Sequence, residues 1–229
     1  MRVSSVIVWD LDGTVYRSQA ACRHYGEQIA LTMAPERRAP YLDRLDAFLG
    51  MKGGLEAADG WEAAVIAAGG RPGDHQAWAE AFAATRLFML GDGCDLEIPA
   101  GLTDLATRLR PAARLVLASN TPTSGVLPLL DRLNLAGLFD EIVCASAKPA
   151  GFGQRLAGLA AVYDLPRRAV LSVGDHFGND IEPALAAGAS AAYVDPFGVG
   201  PAGRADLEAA SLEDLLGPIE GWAEGWAEG

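Results

Sequence analysis

Aromatic residues, basic residues and cysteines are all scarce in this sequence. Aromatic residues make up 7% of its 229 residues, whereas alanine and glycine are abundant. This composition suits closely packed α/β layers better than an all-β sandwich. Lysine and arginine number 18 against 30 aspartate and glutamate residues, for a formal net charge of −12. A chain this acidic is unsuited to binding nucleic acid or an anionic membrane through its overall field, so we expect neither partner.

The three cysteines, Cys22, Cys94 and Cys144, lie far apart and form no C-x-x-C pair. Neither a zinc site nor a disulfide framework is indicated, and reduced thiols in a cytosol are the simplest interpretation. The first residues enter an apolar segment almost at once, without the apolar region and cleavage site of a signal peptide. No apolar run reaches about 18 residues, so no membrane span is expected. We therefore predict a cytoplasmic location.

An apolar run at residues 6–9 ends abruptly in Asp10 and Asp12, which flank a single leucine and precede Gly13. Four consecutive apolar residues bounded by polar ones predict a strand buried on both faces of a parallel sheet. Open α/β sheets bind their ligands at the carboxyl ends of such strands. Two ionised carboxylates this close repel each other when dry, and a divalent cation such as Mg²⁺ compensates them. A D-x-D pair alone would favour a turn cap, because aspartate is common in turns.

Later predicted strands also end in polar residues, which could join Asp10 and Asp12 in a ligand or metal site. Their apolar segments are 114–118, 141–145 and 169–173, with a further strand at 190–194, and helical segments alternate with them. The polar residues at or just after the strand ends are Ser119, Asn120, Lys148, Asp175 and Asp180. Strands that alternate with helices predict a doubly wound parallel sheet of α/β class, in which these ends share one edge.

The strand pattern stops between residues 16 and 95. Helical periodicity takes its place in the segments 22–33, 40–49, 61–68 and 75–89, with glycine and proline between them. We therefore expect an all-helical inserted domain at 16–95. The α/β core would then consist of residues 1–15 and 96–219.

The last part of the chain carries two local patterns. Ser211 and Asp214 predict a capping box that opens a last short helix. The tail at 220–229 repeats Gly-Trp-Ala-Glu, and we expect it to be flexible or weakly docked. No pattern fixes the oligomeric state, and we expect a monomer or a small homo-oligomer.

The polar strand ends resemble, in order, the four motifs of the haloacid dehalogenase (HAD) superfamily. The motifs are Asp10-Leu11-Asp12-Gly13-Thr14, Ser119-Asn120, Lys148-Pro149 and Gly174-Asp175-His176-Phe177-Gly178-Asn179-Asp180. The resemblance covers about residues 1–15 and 96–216. The helical insertion after the first motif is similar to the C1-type cap of the subgroup that contains many small-molecule phosphatases. This resemblance implies a Rossmann-like core, a cap that closes over the site, and a Mg²⁺-dependent phosphatase that hydrolyses a small phosphorylated metabolite through an aspartyl-phosphate.

The resemblance assigns the catalytic residues. Asp10 is the nucleophile that forms the aspartyl-phosphate, which is covalent catalysis by a carboxylate. Asp12 is the general acid and base that protonates the leaving alcohol and then activates water. Lys148 offsets the negative charge of the phosphate and of Asp10. Haloacid dehalogenases lack an acid at the place of Asp12, because a halide leaves without a proton, so Asp12 favours phosphate chemistry.

The resemblance also implies the binding residues. Those that bind the substrate phosphate are Ser119, Asn120 (through its backbone N–H) and Lys148. The Mg²⁺ ligands are Asp10, Asp175 and the backbone carbonyl of Asp12. The residues that support the metal, through water or by orienting Lys148, are Asp180 and Asn179. His176 has no role in this scheme and is expected to be a loop residue.

Two alternatives stay open at this stage. A phosphomutase of the β-phosphoglucomutase kind shares every core residue named above, and differs in its cap and in the lifetime of the aspartyl-phosphate. A non-catalytic phosphate-binding regulatory module, such as a receiver-like domain, also places clustered acids, a hydroxyl and a lysine on a parallel sheet. Receiver domains are much shorter, pair two adjacent acids after their first strand and have no such cap. The four motifs together therefore favour catalysis.

Overall fold

The structure is a computed structural model that describes residues 3–70 and 75–227. It divides the chain into two compact units, the first formed by Met1–Arg17 with Ile98–Gly229 and the second by Ser18–Glu97. Within the described residues, no helix combines the length and the apolar character that crossing a bilayer requires.

Within the described residues, the first unit is built on a six-stranded sheet whose neighbouring strands are all parallel. The strands are β1 (Ser5–Trp9), β2 (Ala113–Ala118), β3 (Glu141–Val143), β4 (Val170–Gly174), β5 (Ser190–Val194) and β6 (Leu207–Ala209). Their order is β3-β2-β1-β4-β5-β6, and all residues of the inner strand β1 are buried. The predicted doubly wound parallel sheet is confirmed. Its strand order reverses between β1 and β4, which is where such sheets bind ligands.

Two strands differ from the sequence-based prediction by more than one residue at an end. The third strand was expected at 141–145, but β3 ends at Val143. Ala145 and Ala147 have φ values of 48° and 56°, in the left-handed region that a strand does not allow. The short strand β6 was not predicted, because three residues at the sheet edge are too few for a periodic pattern.

The second unit is helical. Its described residues form α1 (Gln19–Leu31), α2 (Pro35–Leu49), α3 (Gly60–Ala67) and α4 (His75–Phe88), and α1 packs against each of the others. The helices begin as their sequences require: the side chain of Ser18 accepts a hydrogen bond from Ala21 N–H, and that of Asp59 accepts one from Glu62 N–H. The predicted helical character is confirmed. The unit begins and ends two residues later than the domain expected at 16–95.

Helices cover the sheet of the first unit. They are α5 (Leu102–Leu109), α6 (Thr123–Arg132), α7 (Phe152–Val162), α8 (Glu182–Ala186) and α9 (Leu212–Ala227). Val6 and Val8 of β1 share a buried apolar cluster with Phe152 and Leu156 of α7. Helices α5 and α9 pack against each other, and α9 also contacts β1, β5 and β6.

The expectation of a flexible tail is wrong as far as residue 227, because α9 continues through the first Gly-Trp-Ala-Glu unit and on to Ala227. The buried residues of α9 recur every three or four positions and so share one face: Leu212, Leu215, Ile219 and Ala223. The Arg108 guanidinium of α5 also donates hydrogen bonds to both carboxylate oxygens of Glu220. Ser211 Oγ accepts from Asp214 N–H, which is one of the two bonds of the predicted capping box, and the Asp214 carboxylate accepts from the Ser211 hydroxyl. Residues 228–229 lie outside the described residues.

Candidate active site

Polar residues from four neighbouring segments meet at the carboxyl edge of the sheet. Asp10 directly follows β1, Ser119 directly follows β2, and Asp175 directly follows β4. Lys148 comes from the loop between β3 and α7, and Asp180 from the turn between β4 and α8. The convergence follows from the topology, because parallel strands point the same way and their ends share one edge.

Lys148 joins two of these carboxylates. Its Nζ donates to Asp10 Oδ1 and, over 2.6 Å, to Asp180 Oδ1. The Lys148 side chain is only 2% exposed. Burial alone would lower the pKa of Lys148, but the charges of Asp10 and Asp180 and their hydrogen bonds outweigh it and raise the pKa. Lys148 therefore stays protonated and supplies a fixed positive charge.

Lys148 does not fully offset the effect of burial on the Asp10 carboxylate. Burial is the largest effect and raises the pKa of Asp10 to about 7. Lys148 lowers the pKa of Asp10, whereas the negative charges of Asp180 and Asp12 raise it further. A cation beside Asp10 would favour its ionised form, which is the form that can act as a nucleophile.

Three carboxylates at this edge are placed to hold such a cation. Asp10, Asp175 and Asp180 each offer one oxygen, and these oxygens lie within 4.8 Å of one another. Three ionised carboxylates and one ammonium leave two negative charges, which a divalent cation would balance. Hard cations such as Mg²⁺ take carboxylate oxygens as ligands, so the donor set fits Mg²⁺.

The cluster differs in part from the metal set that the sequence indicated. Asp10 and Asp175 belong to both, but Asp180, expected in a supporting role, contributes a carboxylate oxygen to the cluster itself. Among the described residues, the cluster does not include the Asp12 carboxylate. The metal contact predicted for Asp12 runs through its backbone carbonyl and stays a prediction.

Two glycines make room for the acidic side chains. Gly13 has a φ of +89°, and a Cβ there would lie 1.9 Å from Asp175 Oδ2. A Cβ on Gly174 would lie 2.4 Å from Asp180 Cγ. Thr14 Oγ1 donates a long hydrogen bond of 3.4 Å to Asp175 Oδ1. The first and last motifs are therefore in direct contact, and neither glycine position accepts a larger residue without moving a carboxylate.

Asp12 has hydrogen-bond partners of its own. Tyr16 Oη donates to Asp12 Oδ1, and Thr121 Oγ1 donates to Asp12 Oδ2 over 3.1 Å. The sequence-based prediction missed both hydroxyls. The only sequence signal for Thr121 is that it directly follows the predicted motif Ser119-Asn120. No sequence pattern indicates a role for Tyr16.

The residues after β2 shape the loop that carries Lys148. Asn120 Oδ1 accepts from Lys148 N–H over 2.7 Å and from the Ser146 hydroxyl over 3.1 Å, and Asn120 Nδ2 donates to the Lys148 carbonyl over 2.9 Å. Ser119 is buried, and its Oγ accepts from Thr121 N–H over 3.1 Å. The Asn120 side chain thus holds the loop, while the phosphate contacts expected of Ser119 and of the Asn120 backbone N–H stay predictions.

The last motif forms a turn that the sequence did not predict. A helix was expected at 180–187, but a π-helical turn at Phe177–Ile181 precedes α8. His176 Nδ1 accepts from Asn179 N–H over 3.3 Å, and Asp180 Oδ2 accepts from His176 N–H over 3.3 Å. His176 therefore caps the turn that places Asp180. Asn179 is bonded to His176 through its N–H, and its metal-supporting role stays a prediction.

Comparisons with known proteins identify the fold. No protein-family model and no curated protein matches the chain. A solved structure of a predicted phosphoglycolate phosphatase from Haemophilus somnus 129pt is 20% identical with a TM-score of 0.62, over 94% of this chain and 97% of its own. A candidate β-phosphoglucomutase from Thermotoga maritima is 16% identical with a TM-score of 0.61, over 95% and 99%. The HAD-hydrolase YfnB from Bacillus subtilis, bound to magnesium, is 17% identical with a TM-score of 0.59, over 96% and 99%.

Structures of haloacid dehalogenases also match the chain. The chain therefore has the fold of the HAD-superfamily hydrolases, and the fold that the motif resemblance implied is confirmed. Phosphatases, phosphomutases and dehalogenases share this fold, so the reaction has to be argued from the site.

Proposed function

We propose that this chain is a Mg²⁺-dependent phosphatase that hydrolyses a small phosphorylated metabolite through an aspartyl-phosphate on Asp10. The position of Asp10 is the observation that supports the proposal most directly. Its carboxylate follows the inner strand β1, contacts Lys148 and lies close to the carboxylates of Asp175 and Asp180, a donor set that fits Mg²⁺. A carboxylate nucleophile beside a lysine and a metal site is suited to phosphoryl transfer, which depends on positioning and on charge compensation.

In the first half-reaction, an oxygen of Asp10 attacks phosphorus while the bond between phosphorus and the ester oxygen breaks. Asp12 gives its proton to that ester oxygen, so an alcohol leaves instead of an alkoxide. The products are the free alcohol, an aspartyl-phosphate at Asp10 and the carboxylate form of Asp12.

In the second half-reaction, a water molecule attacks phosphorus and gives a proton to Asp12. The bond between phosphorus and the Asp10 oxygen breaks, and inorganic phosphate leaves. Asp10 is again a carboxylate and Asp12 is again protonated. The complete cycle therefore consumes one water molecule and one phosphate ester, and no other reactant.

The charges of the site fit a phosphate dianion only when positive groups balance the acids. Asp10, Asp175 and Asp180 would hold Mg²⁺. When bound, Mg²⁺ would offset the charge on the phosphoryl oxygens. Lys148 adds a positive charge beside Asp10, and Ser119 and Asn120 at the end of β2 would contact the phosphate.

Two other reactions have to be weighed against this proposal. A dehalogenase needs no acid two residues after its nucleophile, and Asp12 occupies that position here. A phosphomutase would use the same core residues, and the match to a candidate β-phosphoglucomutase keeps it as the alternative. In a mutase the aspartyl-phosphate persists until a second substrate hydroxyl accepts the phosphoryl group, whereas in a phosphatase water accepts it.

The experiment that tests the proposal measures phosphate release from a panel of phosphorylated metabolites and from 4-nitrophenyl phosphate. Reactions would contain the wild type with Mg²⁺, the wild type with chelator, or the Asp10→Asn variant with Mg²⁺. We expect turnover that needs Mg²⁺ and is abolished by Asp10→Asn. A folded, Mg²⁺-binding wild type that releases no phosphate but retains a phosphoryl group on Asp10 would instead indicate the mutase or the phosphate-binding regulatory module.

A further inference from the structure

We propose that Tyr16 and Thr121 are positioning residues for Asp12, a role that rests on the function proposed above. The Tyr16 phenol donates to one oxygen of the Asp12 carboxylate and the Thr121 hydroxyl donates to the other. Tyr16 is 2% exposed and Thr121 is 4% exposed. A carboxylate bonded at one oxygen can still rotate about its Cβ–Cγ bond, whereas bonds at both oxygens fix its plane.

The two hydroxyls come from different parts of the sheet edge. Tyr16 is brought back by the turn after β1, in which Gly13 N–H donates to the Tyr16 carbonyl over 3.0 Å and Val15 N–H donates to the Leu11 carbonyl over 3.1 Å. Thr121 follows β2, the neighbour of β1 in the sheet. Asp12 is thus held between the turn after β1 and the loop after β2, which is the support that a catalytic acid needs to stay aligned with its leaving group.

Hydroxyl partners suit a residue that changes its protonation state during each cycle. A hydroxyl can donate a hydrogen bond to a carboxylate and can also accept one from a carboxylic acid. When Asp12 gives its proton to the ester oxygen, both hydroxyls can donate to the carboxylate that forms. When Asp12 takes a proton from water, that proton can occupy an acceptor position that neither hydroxyl uses and so face the next substrate. A carboxylate has about four acceptor positions, so two donors do not exhaust it.

A purely structural role for Tyr16 predicts a different result from a positioning role. A ring that only fills the core would, when altered, impair every substrate to the same extent. A residue that aligns the general acid matters only where the leaving group needs a proton. An alkyl phosphate releases a basic alkoxide and depends on Asp12, whereas 4-nitrophenyl phosphate releases a stable phenolate and depends on it far less.

The test compares kcat/KM for an alkyl phosphate and for 4-nitrophenyl phosphate, because kcat/KM includes departure of the leaving group but not the later hydrolysis step. General acid–base catalysis contributes about 10²–10⁴-fold. We expect Tyr16→Phe and Thr121→Val each to lower kcat/KM for the alkyl ester about tenfold, and for the aryl ester no more than about twofold. Thr121→Ser keeps the hydroxyl and should retain most of the alkyl activity.

Two further variants complete the design. Tyr41→Phe is the matched control, since Tyr41 is a buried tyrosine of α2 whose hydroxyl has no hydrogen-bond partner among the described residues. We expect it to leave the alkyl-to-aryl ratio unchanged. In an Asp12→Asn background, Tyr16→Phe should cause no further selective loss, because residues that act as one unit are not additive.

The outcomes separate this inference from the function on which it depends. Equal losses on both esters, or full additivity with Asp12→Asn, would overturn the positioning role while leaving the phosphatase intact. A wild type without Mg²⁺-dependent turnover would overturn the phosphatase and the positioning role together. Thr121→Val provides the same comparison if Tyr16→Phe does not fold, which circular dichroism would show.

Discussion

Lys148 Nζ lies 2.6 Å from Asp180 Oδ1, and both side chains are only 2% exposed. This ion pair links the loop after β3 to the turn after β4, and Nζ also bonds to Asp10. Removing one partner of a buried ion pair is far costlier than removing a surface pair, because the remaining charge stays buried without compensation. Lys148 therefore supports the structure of the site as well as its proposed chemistry.

Lys148→Met should destabilise the protein and inactivate it. The substitution leaves the buried carboxylates of Asp10 and Asp180 without their ammonium partner, and we expect the free energy of unfolding to fall by about 3–5 kcal/mol. Turnover should fall at least about 100-fold, the loss typical for a removed electrostatic group. Urea unfolding and phosphate release would measure both effects. Lys52→Met, which alters an exposed lysine, is the control and should change neither.

Mg²⁺ alone should stabilise the wild type, whatever its substrate. A ligand that binds only the folded state adds about 2.7 kcal/mol at 100 times its Kd, and the midpoint of thermal unfolding should rise by roughly 5–10 °C. Asp175→Asn should remove most of this increment, because Asp175 belongs to the carboxylate cluster. Asp104→Asn, on the exposed surface of α5, should retain it. Equal increments in the two variants would contradict the assignment of the metal site.

The sequence predicted those parts of the fold that depend on local pattern. The apolar run before Asp10 is long enough to indicate a buried strand, and the same holds for the run before Ser119. Strand β6 gave no such signal, because three partly exposed residues have no period. A last short helix after Ser211 was expected, but its continuation into the tail was missed because the glycines there are poor helix formers, whereas in the structure tertiary contacts of one apolar face outweigh that preference.

The helix α9 should therefore contribute to the stability of the α/β unit. Ile219 is fully buried, and truncating it to alanine should lower the free energy of unfolding by about 2–5 kcal/mol, the usual cost of a buried isoleucine. Glu224→Ala alters an exposed position on the same helix and should change it by less than about 0.5 kcal/mol. Chemical denaturation measures both variants. If Ile219→Ala were as harmless as Glu224→Ala, α9 would contribute little to the stability of this unit.

The candidate site was predictable where it depends on topology and not where it depends on side-chain direction. Parallel strands bring their ends to one edge, so the convergence of Asp10, Lys148 and Asp175 follows from the order of elements. The bonds from Tyr16 and Thr121 to Asp12 depend on the geometry of two loops, which residue types alone do not determine. His176 likewise had no assignable role until the turn at Phe177–Ile181 showed what its ring caps.

Gly13→Ala should disrupt the proposed metal site more than the fold. Gly13 has a φ of +89°, which costs an alanine roughly 1–2 kcal/mol, and the added Cβ would lie 1.9 Å from Asp175 Oδ2. Asp175 would have to move, so we expect the variant to lose the Mg²⁺-induced rise in thermal stability. Gly53→Ala separates the two effects, because Gly53 also has a positive φ, of +77°, but no described atom lies within 4 Å of its added Cβ.

Thermal unfolding with and without Mg²⁺ distinguishes strain from displacement of the acid. Gly53→Ala should lose a little stability and keep the full response to Mg²⁺, since only its backbone is strained. Gly13→Ala should lose both stability and the response to Mg²⁺. If Gly13→Ala kept the full response, then Asp175 could retreat from the new methyl group and still bind the cation. The close approach of the first and last motifs would then not be what fixes the metal site.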